Sequence, residues 1–160
     1  MLRIADLISK IIVNEHMATS VTRTFLLNML RATEVTDPAP AIVIATTVGQ
    51  WHDVGALIVA LTAAQNGWHP ISYGPNLPAE EIASGVKQSC ARAVAVSVTH
   101  QLNHHALIEE LRKLRRYIDR DVRLFVGGRA VAGYTQILEE IDVKYISDID
   151  QFSGELYYML

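Results

Sequence analysis

The residues best suited to do chemistry stand close together in Thr46-Thr47-Val48-Gly49-Gln50-Trp51-His52-Asp53-Val54-Gly55. A neutral imidazole is a good ligand for a borderline transition metal, and His52 sits between a strand-like run and a helix-like run. Ala41-Ile42-Val43-Ile44-Ala45 has the length and β-branched content of a buried parallel strand, and residues 56–64 are strong helix formers. The carboxyl end of such a strand is where open α/β sheets bind ligands. Asp53, a preferred N-cap residue, is expected to open the following helix. Ser97, Thr99 and the pair Gly127-Gly128 are further candidates, each just after an apolar run; read singly, a strand end and an ordinary turn explain them as well. His100, His104 and His105 suggest a metal cluster, but no Cys, Asp or Glu stands beside them at ligand spacing, so they are expected to be solvent-exposed histidines.

Positioning that turn takes a sheet, and the chain supplies one. Gly67 reads as a helix C-cap, followed by a strand over Trp68–Tyr73 with His69 packing inward and a loop over Gly74–Pro78. Pro78 and the acids Glu80 and Glu81 start a helix that ends near Ser89. Further strands are expected at Ala93–Ser97, Val122–Val126 and Val143–Ile146, with helices at His104–Arg116 and about Gly133–Ile141. Ser147-Asp148 has the form of an N-cap for a last helix. Five strands alternating with helices imply a flavodoxin-like α/β fold, a five-stranded parallel sheet in the order 2-1-3-4-5. Ahead of it lie two amphipathic patterns, residues 2–13 (Leu2, Ala5, Ile8, Ile11, Ile12) and Glu15–Arg31 (Val21, Phe25, Leu26, Met29, Leu30), read as two helices. The proline-containing stretch Thr33–Pro40 divides an N-terminal helical segment, 1–33, from an α/β domain, 38–160.

The spacing of the central turn resembles cobalamin-binding domains of the base-off, His-on type, which carry Asp-x-His-x-x-Gly. Here the match is Gln50-Trp51-His52-Asp53-Val54-Gly55, with Gln50 where the Asp stands, and Ser97 and Gly127-Gly128 follow as further landmarks in order. The resemblance implies that residues Gln50 to Gly55 contact the cofactor and that His52 is the lower ligand of cobalt. It also implies a slot lined by Ser97, Thr99, Gly127 and Gly128 that takes the detached nucleotide tail. In the family the Asp ties down the second ring nitrogen of the His. Gln50 accepts without negative charge, which leaves His52 a weaker electron donor and points to sensing rather than methyl transfer.

Glu15-His16-Met17-Ala18-Thr19 is similar to a stretch in the last bundle helix of the sensory branch, although Ala5 stands where that branch has Trp. This implies His16 over the upper face of the corrin. The plainer reading makes Glu15 and His16 surface residues of a helix's first turn, where an acid suits the dipole. The resemblance thus implies a sensory domain, not an enzyme, that binds adenosylcobalamin or hydroxocobalamin. It would respond to light or cobalamin state through a regulatory protein partner or self-association. A corrinoid carrier of methyl transfer, a mutase small subunit, and a haem sensor using the same His are the alternatives.

The bulk of the sequence is compatible with this. The 160 residues are 50 % hydrophobic and 19 % charged, enough for a good core. A net charge of −3 gives no electrostatic reason for nucleic-acid binding. A single cysteine, Cys90, excludes an internal disulfide, the N-terminus lacks a signal-peptide pattern, and no apolar run approaches the roughly 20 residues of a membrane span; a cytoplasmic location is expected. Dinucleotide and phosphate-loop glycine patterns, the Gly-x-Ser-x-Gly elbow and the acidic residues of a receiver domain are all absent.

Overall fold

Ile42, Val43 and Ile44 are each fully buried in strand β1 (Ala41–Thr47), apolar on both faces as a central parallel strand must be. The computed structural model describes residues 4–100 and 104–160, of which 4–12 and His104 are described by their backbone alone. After β1 come α2 (Val54–Gln65), β2 (His69–Leu77), α3 (Ala79–Gln88), β3 (Ala93–Ser97), α4 (His104–Tyr117), β4 (Arg123–Gly127), α5 (Thr135–Glu140), β5 (Lys144–Ile146) and α6 (Ile149–Tyr157); α1 (Ile4–Ala32) precedes them. The five strands form one sheet in the expected order β2-β1-β3-β4-β5, every pair parallel.

Because successive strand residues point to opposite faces, β1 feeds two cores. Val43 and Ala45 join Val94, Val96, Leu124 and Val126 against Ile82 and Val86 of α3, Leu111 and Leu114 of α4, and Leu138 of α5. Ile42 and Ile44 join Ala95 and Phe125 against Ala56 and Ala60 of α2 and Phe152 and Leu156 of α6. Trp68 closes the second core and donates its ring N–H to the Leu156 carbonyl at 3.3 Å. The carboxyl ends of all strands therefore share one rim.

Several boundaries differ from expectation for physical reasons. The two N-terminal patterns form one continuous helix, because no Gly or Pro interrupts residues 4–32 and Asn14 alone is too weak a breaker. Leu26, Leu27 and Leu30 are half-buried on its inner side, whereas Val13, Met17, Val21, Phe25 and Met29 are exposed. The apolar stripe expected over Val21 to Leu30 thus splits across two faces, and the side chains expected inward from residues 2–12 lie outside those described. Strand β2 runs on to Leu77 through the stretch expected to be a loop, since Gly74 still pairs with Ala45 and Leu77 with Thr47 across a register shift. His69 is exposed rather than packed. Asp148 accepts from the Gln151 N–H at 2.8 Å and caps α6 as expected.

Helix α1 lies against α2 and runs in the same direction. Arg23 meets Asp53 at the start of α2, and Leu30 comes level with Ala64, His69 and Pro70 near its end. At 1.5 Å per residue, the stretch of α1 before this contact, Ile4 to Thr22, is roughly 28 Å long. No helix among the described residues is long and apolar enough to cross a membrane.

Phe125 anchors the second core, 1 % exposed and edge-on to Phe152 with ring centroids 5.6 Å apart. Phe125→Ala is expected to cost about 3–5 kcal/mol, measured as the fall in urea midpoint at unchanged slope.

Candidate functional site

The turn after β1 is held by polar side chains that satisfy the backbone where the sheet runs out. The Gln50 N–H closes the turn on the Thr47 carbonyl at 3.0 Å. The Thr46 hydroxyl donates to the Gln50 carbonyl and accepts from the Asn76 N–H at 2.9 Å. The Asn76 side chain in turn accepts from the Gly49 N–H at 2.8 Å. The far end of β2 thus locks the turn that follows β1. Neither Thr46 nor Asn76 announces this in the sequence, because the partners are about thirty residues apart.

Gln50 was expected to hold the second nitrogen of His52, and it does not. It is 3 % exposed, and its side-chain oxygen accepts from the Thr99 and His100 N–H groups at 3.0 and 2.9 Å. Its amide nitrogen donates to the His100 carbonyl. Part-buried backbone groups of the β3–α4 loop find their partner here, and a side chain with an acceptor and a donor answers all three. A carboxylate here could not donate to the His100 carbonyl. The amide therefore binds two rim loops together, and the expected electronic effect of a neutral partner on His52 has no contact to carry it.

His52 and Trp51 are exposed at the rim. The His52 ring lies beside that of His100, with centroids 4.8 Å apart and planes tilted by 41°. His100 is therefore exposed, as expected, but also part of the His52 surroundings, beside the loop contact through Gln50. His105 is exposed, the side chain of His104 lies outside those described, and no group of three His, Cys, Asp or Glu residues that could hold a metal occurs among the described residues.

Asp53 departs from expectation in the same way as Gln50. It stands at the N-cap position of α2 but makes no side-chain cap bond. Asp53 is 5 % exposed, and its carboxylate accepts from two of the three guanidinium nitrogens of Arg23, Nε at 2.7 Å and Nη2 at 2.8 Å. A buried carboxylate needs a full counter-charge more than a helix start needs a cap, and the Arg fork supplies it. The Asp53 hydrogen bond and then its charge raise the Arg23 guanidinium above its ordinary value. A raised cation contributes stability that is complete below its ordinary pKa and lost only as pH climbs through the folded value, so this contact holds across the whole neutral range.

Beside the turn lies a cavity of about 260 Å³ between α2 and α6, lined by Gly55, Val59, Ser97, Gly128, Asp148 and Phe152 among others. Thr99 and Gly127 line it too, so the slot residues expected from the sequence come together. Val54, at the start of α2, is half-buried next to it in the chain. Ser97 is 8 % exposed, and its hydroxyl makes no hydrogen bond among the described residues. A Cβ on Gly55 would stand 2.9 Å from that oxygen. A side chain at residue 55 would therefore crowd this wall, where the Ser97 hydroxyl has no hydrogen-bond partner among the described residues. The Asp148 carboxyl, on the same wall, is held below its ordinary value first by the Ser147 hydroxyl and then by the Gln151 N–H. A lowered carboxyl contributes stability above its ordinary pKa and loses it as pH falls through the folded value.

His16, also expected at the site, does not open a helix. It lies in the interior of α1, exposed, seven residues before Arg23 and so two turns along the same side of the helix. It makes no contact with His52 in this structure.

The geometry fits an extended cofactor that needs one exposed imidazole and one narrow apolar slot with a polar wall. A family model described as the B12 binding domain matches residues 40–148. No curated protein matches the chain at a significant level. Among solved structures, a novel cobalamin-binding protein from Desulfitobacterium hafniense DCB-2 is similar with a TM-score of 0.63 and 18 % identity, over 77 % of this chain and 60 % of its own. The monomethylamine corrinoid protein of Methanosarcina barkeri gives 0.65 and 14 %, over 86 % and 65 %. A chain of the methanol:cobalamin methyltransferase complex of the same organism gives 0.64 and 20 %, over 74 % and 45 %. At these identities the likeness is one of fold, and the chain spans less than two thirds of each of the three.

The close approach of the β4 turn to the β3 end gives a direct test of how the slot is built. Gly128 has φ +114°, and a Cβ there would stand 2.2 Å from the Val98 carbonyl oxygen. Gly128→Ala is expected to cost at least the 1–3 kcal/mol, order of magnitude, of a disallowed backbone. Gly133→Ala, with nothing within 4 Å of its Cβ, is the control that should leave the urea midpoint nearly unmoved.

Proposed function

The chain belongs to the B12-binding domain family, and from that we propose that it holds a corrinoid for a methyl-transferring partner, with His52 as the protein ligand below cobalt. The observation that carries the reading is the juxtaposition of an exposed His52 with the Gly55 slot three residues on, whose wall carries the Ser97 hydroxyl. His52 would bind from the rim, and Gly55, Ser97, Thr99, Gly127 and Gly128 would line the channel for the nucleotide tail. Gln50 and Asp53 would keep the rim loop in place, and Trp51 and Val54 would flank the ligand. A bound corrinoid supplies a cobalt centre able to accept and release a methyl group. In this reading the chain binds, orients and shields that centre, and the partner activates the substrate.

Two considerations support a carrier over the regulator that the sequence suggests. A sensor role would follow from a neutral Gln50 against His52, but the Gln50 amide is engaged elsewhere. Two of the similar solved structures are described as a corrinoid protein and a methyltransferase complex. The second reading remains a light- or cobalamin-responsive regulator binding adenosylcobalamin or hydroxocobalamin. One observation favours it: His16 lies on the side of α1 that carries Arg23, two turns before it, where an imidazole could approach the upper face.

The optical spectrum of the purified, cobalamin-loaded protein tests the first step, since a Soret band would instead indicate haem. His52→Ala is expected to weaken cobalamin binding by more than the roughly 10- to 100-fold that loss of a supporting hydrogen bond costs a metal site. The bound spectrum should move to that of a corrin with no protein imidazole. Unchanged affinity and spectrum would remove His52 from the site. Methyl transfer supported by the chain with a methyltransferase, and an elution volume unaffected by light, favour the carrier; light-dependent elution without methyl transfer favours the regulator.

A further inference from the structure

We propose that Arg23 is a positioning residue for His52, acting through Asp53, so that α1 forms part of the corrinoid site. The proposal rests on the reading of His52 as the lower ligand. Trp51 and His52 form an exposed pair between two anchored side chains. On one side Gln50 is pinned by four hydrogen bonds to Thr99 and His100 of the β3–α4 loop. On the other side Asp53 is pinned by two hydrogen bonds to Arg23, which belongs to α1. Asp53 makes no cap bond to α2, and among the described residues its carboxylate hydrogen-bonds only to Arg23.

The geometry makes this anchor more than a link between helices. Asp53 adjoins His52 in the chain, and its carbonyl starts the α2 hydrogen-bond ladder by accepting from the Leu57 N–H at 2.9 Å. A carboxylate 6 % exposed in its side chain cannot move away from Arg23 without either losing its counter-charge or dragging the backbone toward water. The backbone it would drag is that of the ligand residue. Arg23 is 44 % exposed and could leave, so the pair is held from the Asp53 side. Coupling is reciprocal in such an arrangement: whatever fixes His52 also steadies Arg23 and the part of α1 that carries it.

The test uses the full chain loaded with hydroxocobalamin, and compares wild type with Arg23→Met, Arg23→Lys, the double variant Arg23→Met/Asp53→Asn, and His52→Ala. Arg23→Met is expected to weaken binding by about 10- to 100-fold and to move the spectrum of the fully bound protein toward that of His52→Ala. Arg23→Lys, which keeps the charge but loses the fork, should fall between. The double variant removes the buried charge and should recover the urea midpoint without recovering the imidazole-bound spectrum. It is also the variant to read if Arg23→Met does not fold. Amide exchange in residues 20–30 should slow on cobalamin binding in wild type and not in the double variant. A folded Arg23→Met or double variant with the wild-type spectrum and affinity overturns the proposal while leaving His52 as ligand. An unchanged spectrum in His52→Ala overturns both.

Discussion

The Gln50 amide is the contact on which the rim of this sheet depends. A parallel sheet ends by leaving backbone N–H and C=O groups at the carboxyl edge without strand partners, and each buried one must find another. Gln50 serves three of them, from Thr99 and His100, and the Thr46 hydroxyl binds the Gln50 carbonyl in return. The loops after β1 and β3 are thereby one unit, and the His52 and His100 rings lie together because their backbones do. An amide suits this place because it donates and accepts. Its presence in the position of the family's Asp is thus a statement about loop packing more than about the electronics of a ligand.

The second constraint is charge. Asp53 is buried next to the proposed ligand, and its only side-chain partner among the described residues comes from α1. This contact ties the α/β unit to a helix whose first nineteen residues precede it. Val13, Met17, Val21 and Phe25 stay exposed along that helix. Helix α1 is consequently registered on the α/β unit by an ion pair and by Leu26, Leu27 and Leu30 near its end, not by a full apolar face.

The slot follows from the absence of side chains. Gly55 leaves the space in front of Ser97, and Gly128 lets the turn after β4 pass against the Val98 carbonyl. Apolar walls from Val59 and Phe152 continue the α2–α6 core outward, so the cavity is a continuation of the packing that supports the sheet. Fold stability and the shape of the slot therefore draw on the same residues.

The sheet order came with the fold class, and the Gly55, Ser97 and Gly127-Gly128 landmarks with the family resemblance; local pattern alone determined the alternating strands and helices. These rest on short-range effects: apolar periodicity, β-branched runs, glycines and caps, which a chain carries within a few residues. What the polar side chains of the rim bind was decided only by tertiary structure. Gln50 and Asp53 looked like the partner of His52 and the cap of α2, because those are the nearest groups in sequence. Their partners lie 49 or 50 and 30 residues away, and burial made satisfying distant backbone and charge more urgent than any local bond. The joining of two helical patterns into α1 had a similar cause: each half looked complete by itself, and nothing between them was strong enough to stop the helix.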